Sequence, residues 1–221
     1  QTLNRLDDHG LQQLVEKVVA ELLAAEARRY PQVFTERFTA LEQARLIKLA
    51  LAWLALERQR APFSVEAVEQ QRQVSLAGLE MKVKADRIDQ LESGGQMIID
   101  YKTGGLPTGK DIALGFSPQL PLEAAIAAAG GFRGISASPV SRLEFWRLTG
   151  NDPAGQRSPA ARDMDAVVAA ASAGLAALVA RFDDPATAYL SQPDPARASP
   201  WNDYEHLARI QEWSSVGGDG D

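Results

Sequence analysis

An aspartate and a lysine two residues apart, Asp100 and Lys102, close an apolar run that begins at Met97. Side chains alternate along a strand, so Asp100 and Lys102 share a face with Ile98, while Ile99 and Tyr101 take the other. A carboxylate and an ammonium are thus presented side by side. Upstream, Leu79, Met81, Val83 and Ala85 alternate with Glu80, Lys82, Lys84 and Asp86, the period of a half-buried strand. Ser93-Gly94-Gly95 is a turn signal between the two runs, and a hairpin closed there returns Asp86 to the side of Asp100. Two carboxylates from neighbouring strands can hold one hard cation such as Mg²⁺ or Mn²⁺, which prefers oxygen ligands and keeps several waters. Such an ion neutralises phosphate oxygens and acidifies a bound water, and a nearby ammonium assists the water or the developing charge. Asp86 and Asp100 therefore read as ligands and Lys102 as the charge. Glu69, on the preceding strand-like segment, is a candidate further carboxylate, acting directly or through water.

An Asp-x-Lys triplet arises by chance about once in a few hundred residues, and its bland reading is a surface ion pair. The context raises it: Asp86 and Asp89 at the end of one strand, a glycine turn, an apolar strand, and Asp-Tyr-Lys-Thr-Gly at its exit.

The elements around this pair follow from period and punctuation. Leu14, Val15, Val18, Val19, Leu22 and Leu23 recur at helical spacing, with Asp7 or Asp8 as cap, and the helix ends near Tyr30-Pro31. A second helix is expected from about Thr39 to Arg60, on the capping-box spacing of Thr39 and Glu42. Ser117-Pro118 signals a helix from Gln119 to Ala129, stopped at Gly130-Gly131. Arg142 to Leu148 reads as a strand, and Ser158-Pro159 as the start of an Ala-rich helix reaching about Phe182. Gly104 to Lys110 lacks the spacing of a phosphate-binding loop and reads as a flexible loop beside the site. The prolines from Pro185 to Pro200 mark a surface tether, followed by a short helix from about Asp203 to Trp213 and a disordered Gly/Asp tail. The class is α/β, a mixed central β-sheet flanked by helices, with N-terminal helices and a C-terminal helical extension. The expected division of one overall domain is an N-terminal helical part over 1–62, a core with the metal site over 63–150, and C-terminal helices and tail over 151–221.

Composition bounds the function. The chain of 221 residues has 45% hydrophobic composition, enough for a real core. It has no cysteine, which excludes disulfides, thiolate zinc sites, iron–sulfur clusters and cysteine nucleophiles. A net charge of −6 argues against a protein that holds nucleic acid by charge alone, though a bound cation reverses the local sign. No stretch reads as the roughly 20 apolar residues of a membrane span, and no signal peptide is evident, so no membrane partner and a cytoplasmic location are expected. His9 and His206 each read as surface or capping residues, Trp53, Trp146, Trp201 and Trp213 as core or interdomain anchors, and Lys82 and Lys84 as a solvated face.

The run ADRIDQLESGGQMIIDYKTG, from Ala85 to Gly104, resembles the signature of PD-(D/E)XK nucleases of the RecB type. The Gln119-Leu120-Pro121-Leu122-Glu123 stretch is similar to the Gln-containing helix of that family, and EHLARIQEW, from Glu205 to Trp213, looks like the end of AddB subunits. The resemblance covers about residues 60 to 215. It implies a restriction-endonuclease-like core in which Asp86 and Asp100 bind Mg²⁺ or Mn²⁺ with the backbone carbonyl of Tyr101, Lys102 is the catalytic lysine, and Gln119 supports the site. Arg87 and Asp89 would be structural. The chain departs from the family at Glu123, where tyrosine is common, and in lacking the upstream metal-binding histidine motif, which His9 does not match. Without cysteines it resembles the type that carries no iron–sulfur cluster.

What the resemblance implies is a Mg²⁺-dependent exodeoxyribonuclease or endonuclease, a DNA-repair hydrolase of an AddAB/RecBCD-like helicase–nuclease complex. Its partners would be DNA, as single strands or duplex ends, and a helicase–nuclease subunit, in recombination and double-strand-break repair. The alternative is a nuclease-fold scaffold or DNA-end binding domain that no longer cuts. A third reading is a metal enzyme acting on another phosphoester.

Overall fold

Two long helices open the chain in the computed structural model, which describes residues 3–149, 155–194, 203 and 205–208. Helix α1 (Asp8–Arg29) is capped by Asp7, whose carboxylate accepts the Gly10 N–H at 2.7 Å. Leu11, Val15, Val19 and Leu23 are buried against Leu46, Ile47, Ala50, Leu51 and Leu54 of α2 (Glu36–Arg58). Leu14, Val18 and Leu22, expected in the same stripe, are exposed, because a helix–helix seam is narrower than the apolar face the sequence offers. Thr35, not Thr39, caps α2: its hydroxyl accepts the Phe38 N–H, while the Thr39 N–H already bonds the Thr35 carbonyl. The helix therefore starts earlier than its capping-box spacing indicates.

Among the described residues five strands follow: β1 (Phe63–Leu76), β2 (Leu79–Leu91), β3 (Gln96–Lys102), β4 (Val140–Leu148) and β5 (Gly155–Pro159), side by side in chain order. All neighbours are antiparallel except β3 and β4, which are parallel. A parallel pair needs a crossover, and here it contains α3 (Gly109–Ala113) and α4 (Gln119–Ala128). Ile88, Ile98, Leu143 and Phe145 on one face pack with Leu120, Ala124, Ile126 and Ala127 of α4, and with Met164, Val167 and Val168 of α5 (Met164–Asp183). On the other face Met97, Ile99 and Trp146 meet Trp53 and Leu56 of α2. This is the mixed α/β sheet flanked by helices that the strand and helix periods indicate. The two tryptophans Trp53 and Trp146 serve as packing anchors.

Several local signals give way to tertiary context. The stretch read as a loop before Lys110 leads into α3, where Thr108 and Asp111 form a capping box. Ser117 does not cap α4; Pro118 occupies the cap position without a side-chain bond. Ser158 and Pro159 lie in β5, opposite Phe145 and Glu144, since a proline at a strand end costs little of the ladder. Asp163 instead accepts the Ala166 N–H in the first turn of α5. That helix, 20 residues with mean hydropathy 1.6, is long and apolar enough to cross a membrane by length and composition, contrary to the reading of the sequence. Its alanines read as helix-forming rather than as strongly apolar, and Val167, Val168, Leu175, Leu178 and Val179 supply much of the hydropathy.

Residues 1–176 form one compact unit and 177–221 another. In the second, Phe182 and Tyr189 stack with ring centroids 4.8 Å apart, and α6 spans Glu205–Ala208. The rest of the expected Asp203–Trp213 helix, Trp201, Trp213 and the Gly/Asp tail lie outside the described residues.

Candidate active site at the exit of the third strand

The β2–β3 hairpin is closed by Gly94 and Gly95, both at positive φ (95° and 76°). A Cβ on Gly95 would sit 1.9 Å from the Ser141 hydroxyl, so this turn needs glycine for conformation and for space. The register pairs Gln90 with Gln96 and Arg87 with Ile99. One residue further along, Asp86 falls beside Asp100. The Asp86 carboxylate accepts the Tyr101 backbone N–H at 2.9 Å, tying the two strands together at the level of the acids.

Asp100 is buried and Lys102 half-buried, with the ammonium 2.7 Å from Asp100 Oδ2 and 3.0 Å from Oδ1. Burial pushes the Asp100 carboxyl up; the bond and charge of Lys102 oppose this, the charge of Asp86 adds to it, and the net direction stays upward. Lys102 also donates to Gln119 Oε1 at 3.4 Å, and Gln119 Nε2 donates to Glu123 Oε1 at 3.2 Å. Four side chains from β3 and α4 thus form one chain: Asp100, Lys102, Gln119, Glu123. Parallel pairing of β3 with β4 brings this about, because the crossover lays α4 over the sheet face that carries Asp100.

Glu123 is the residue that sequence reading undervalued. It is 4% exposed, and its Oε2 is buried with no hydrogen-bond partner. Burial pushes its carboxyl up to about 7, helped by the charges of Asp100 and Asp86 and opposed by Gln119 and Lys102. The signal was visible as one acid inside the otherwise apolar helix QLPLEAAIAA, one turn after Gln119.

Behind the acids, on the other sheet face, lies a second polar group. Arg87 donates from Nε to Asp89 Oδ1 at 2.7 Å, from Nη2 to Asp89 Oδ2 at 3.0 Å, and from Nη1 to the Tyr101 hydroxyl at 3.1 Å. It also bonds Glu57 of α2. Arg60 reaches Asp89 at 2.6 Å and Glu57 at 2.8 Å. Two guanidiniums and two carboxylates, all nearly inaccessible, lock α2 to the strand that carries Asp86. Burial of Tyr101 pushes its phenol up, against the pull of the Arg87 charge. Asp86 and Asp89, adjacent in the sequence reading, serve opposite faces.

Glu69 has positive φ (53°) and lies between Val68 and Gln70, which pair with Arg87 and Ala85. That puts it at the level of Asp86, yet its exposed carboxylate bonds Lys84. Lys82 is exposed. His9 hydrogen-bonds Gln13 on the outside of α1, and His206 is exposed on α6. A cleft lined by Trp53, Glu57, Phe63 and Arg87 opens on the sheet face opposite the acids.

The donors near Asp100 are all oxygen, and two carboxylates stand against a single ammonium. An excess of negative charge around a buried acid whose pKa is raised fits a hard divalent cation. Among the described residues no three His, Cys, Asp or Glu side chains converge as a ready ligand set. Asp86 and Asp100 would hold such an ion, with water completing its shell.

A mixed sheet that presents two acids and a lysine from adjacent strands, Asp100 and Lys102 at the exit of β3 and Asp86 in the middle of β2, defines an α/β protein with a carboxylate–lysine site. The family model of the PD-(D/E)XK nuclease superfamily matches residues 1–200, and the chain belongs to that superfamily. Its members generally hydrolyse phosphodiester bonds and typically use Mg²⁺ or Mn²⁺. An uncharacterised protein of Rickettsia felis is 44% identical over 61 residues, 27% of this chain and 7% of its own length. Another, from Rickettsia typhi, is 39% identical over 83 residues, 34% of this chain and 10% of its own. The chain therefore spans a tenth or less of these relatives. The crystal structure of SSO0001 covers 71% of this chain and 74% of its own, with 19% identity and a TM-score of 0.28.

Proposed function

We propose that this domain is the metal-dependent DNA nuclease of an AddB-type subunit, working in the cytoplasm within a helicase–nuclease complex that processes double-strand breaks. The observation that carries the reading is the hydrogen-bonded set Asp100, Lys102 and Gln119 beside Asp86, in a chain of this superfamily. The RecB-type run from Ala85 to Gly104 and the AddB-like run from Glu205 to Trp213 support the finer assignment.

Asp86 and Asp100 would hold Mg²⁺ or Mn²⁺, with the Tyr101 carbonyl as a further ligand and Glu69 as a candidate contributor. When bound, the ion supplies charge neutralisation at the phosphate and a more acidic water. Lys102 holds an ammonium beside Asp100, where it orients a nucleophilic water or meets charge building on the phosphate. Gln119 fixes that ammonium from the helix side. Asp100 is buried beside its β4 register partner Phe145, and its withdrawal from bulk water strengthens these interactions.

In the complete complex, with strand-specific labels to separate the cuts of the partner subunit, Asp100→Ala should lower cleavage of one strand by more than about 100-fold, beyond the loss typical of outer-shell changes at metal sites. Lys102→Ala should impair the same cut and leave Mn²⁺ binding largely in place, and unwinding should survive both changes. Wild-type cutting by both variants at every site would leave the domain as a scaffold or DNA-end clamp.

A further inference from the structure

We infer that Glu123 is a positioning residue, which through Gln119 sets the orientation of the Lys102 ammonium. The inference rests on the nuclease reading above and adds a residue to its machinery. A primary amide is asymmetric: its oxygen can only accept, and its nitrogen can only donate. Gln119 is exposed, so packing does not decide which end of the amide faces Lys102. Two acceptors decide it: Glu123, one helical turn along α4, whose Oε1 takes the Gln119 amide N–H at 3.2 Å, and the Asp100 carboxylate, which also draws on the Gln119 side chain. With the nitrogen so engaged, the amide oxygen is turned to the Lys102 ammonium at 3.4 Å. Lys102 then has an acceptor on the helix as well as one on the strand, and its position is defined from both sides. An amide turned the other way would point N–H groups at an ammonium.

The burial of Glu123 is what makes this dependable. At 4% exposure, in a helix whose Leu120, Leu122, Ala124, Ile126 and Ala127 are buried as well, the carboxyl is largely withdrawn from water. The unpartnered Oε2 and a pKa near 7 are consistent with a proton resting on Oε2, which leaves Oε1 free to accept in either protonation state. A ligand role is disfavoured, because no three acid, histidine or cysteine groups converge among the described residues and the bonds of Glu123 lead to Gln119.

Three variants in the complete complex test this: Glu123→Met, which keeps length and fits the apolar pocket without an acceptor, Glu123→Gln, which keeps the acceptor, and Gln119→Ala. Single-turnover cleavage with Mn²⁺ is followed on strand-labelled linear duplex. Glu123→Met should slow the cut by about 10- to 100-fold, with the Mn²⁺ midpoint moved by less than about twofold. Glu123→Gln should restore most of the rate. In the Gln119→Ala background, adding Glu123→Met should cost less than about a further twofold, since both changes release the same ammonium. Multiplicative losses, or a slow Glu123→Gln with a Mn²⁺ midpoint raised tenfold, would overturn the inference and make Glu123 a ligand or an independent structural residue. An Asp100→Ala control that cuts like wild type would instead remove the nuclease reading itself.

Discussion

Replacing Arg87 by methionine tests the buried ion network that holds the site strand. The guanidinium satisfies Asp89 with two bonds at 2.7 and 3.0 Å, bonds Glu57, and donates to Tyr101. Asp89 is 0% exposed and Glu57 4%, so neither can turn to water when the arginine is gone. Two carboxylates would then share Arg60 alone. Removing one partner of a buried pair costs about 3–5 kcal/mol, because the charge left behind remains desolvated. At about 2–4 °C per kcal/mol for a domain of this size, the midpoint of thermal unfolding should fall by roughly 6–20 °C, read by circular dichroism. A second change, Arg87→Met with Asp89→Leu, leaves Glu57 and Arg60 as a balanced pair at 2.8 Å and should return at least about 1 kcal/mol of coupling. If Arg87→Met unfolded within about 2 °C of wild type, the four ions would not be desolvated as the structure has them, and the link from α2 to the Asp86 strand would fall.

Two further outcomes follow from the same geometry. Glu123 has its carboxyl raised from 4.5 to about 7 in the folded protein, so its contribution to stability is fully present below about pH 4.5 and is lost as pH rises through 7. With chelator present, the unfolding midpoint should therefore fall between pH 4.5 and 7, and Glu123→Gln should flatten that slope; an unchanged slope in the variant would assign it to other groups. Gly95→Ala should destabilise the chain more than Gly94→Ala in urea unfolding, because both lose a favourable positive φ at about 1 kcal/mol, but only Gly95 would drive a Cβ into Ser141 and the Pro139 carbonyl. Equal losses would mean the hairpin turn tolerates movement against β4.

Much of the candidate site's geometry was legible because it is local. Strand alternation puts Asp100 and Lys102 on one face, and a hairpin short enough to close at Gly94-Gly95 sets Asp86 beside them; both facts need only a period of two and a turn. The helices α1 and α2 followed from hydrophobic period, and α4 and α5 from Ser-Pro start signals with a glycine stop or an alanine-rich run. Boundaries were less secure: Thr39 and Ser158-Pro159 carry start signals that the chain does not use, because Thr35 caps a turn earlier and β5 pairs with β4 before α5 begins.

What only the tertiary structure decided are the long-range partners. Nothing near Glu123 in the sequence says that a parallel crossover will lay α4 on the acid-bearing face, so its tie through Gln119 to Lys102 could not be read. Arg87 and Asp89 show no sign that Glu57 and Arg60, some thirty residues earlier, will close over them. Spacing along a chain is dictated by backbone geometry that every residue shares. Which buried charges meet depends on how helices seat on a sheet, and that is settled by the packing of the whole core.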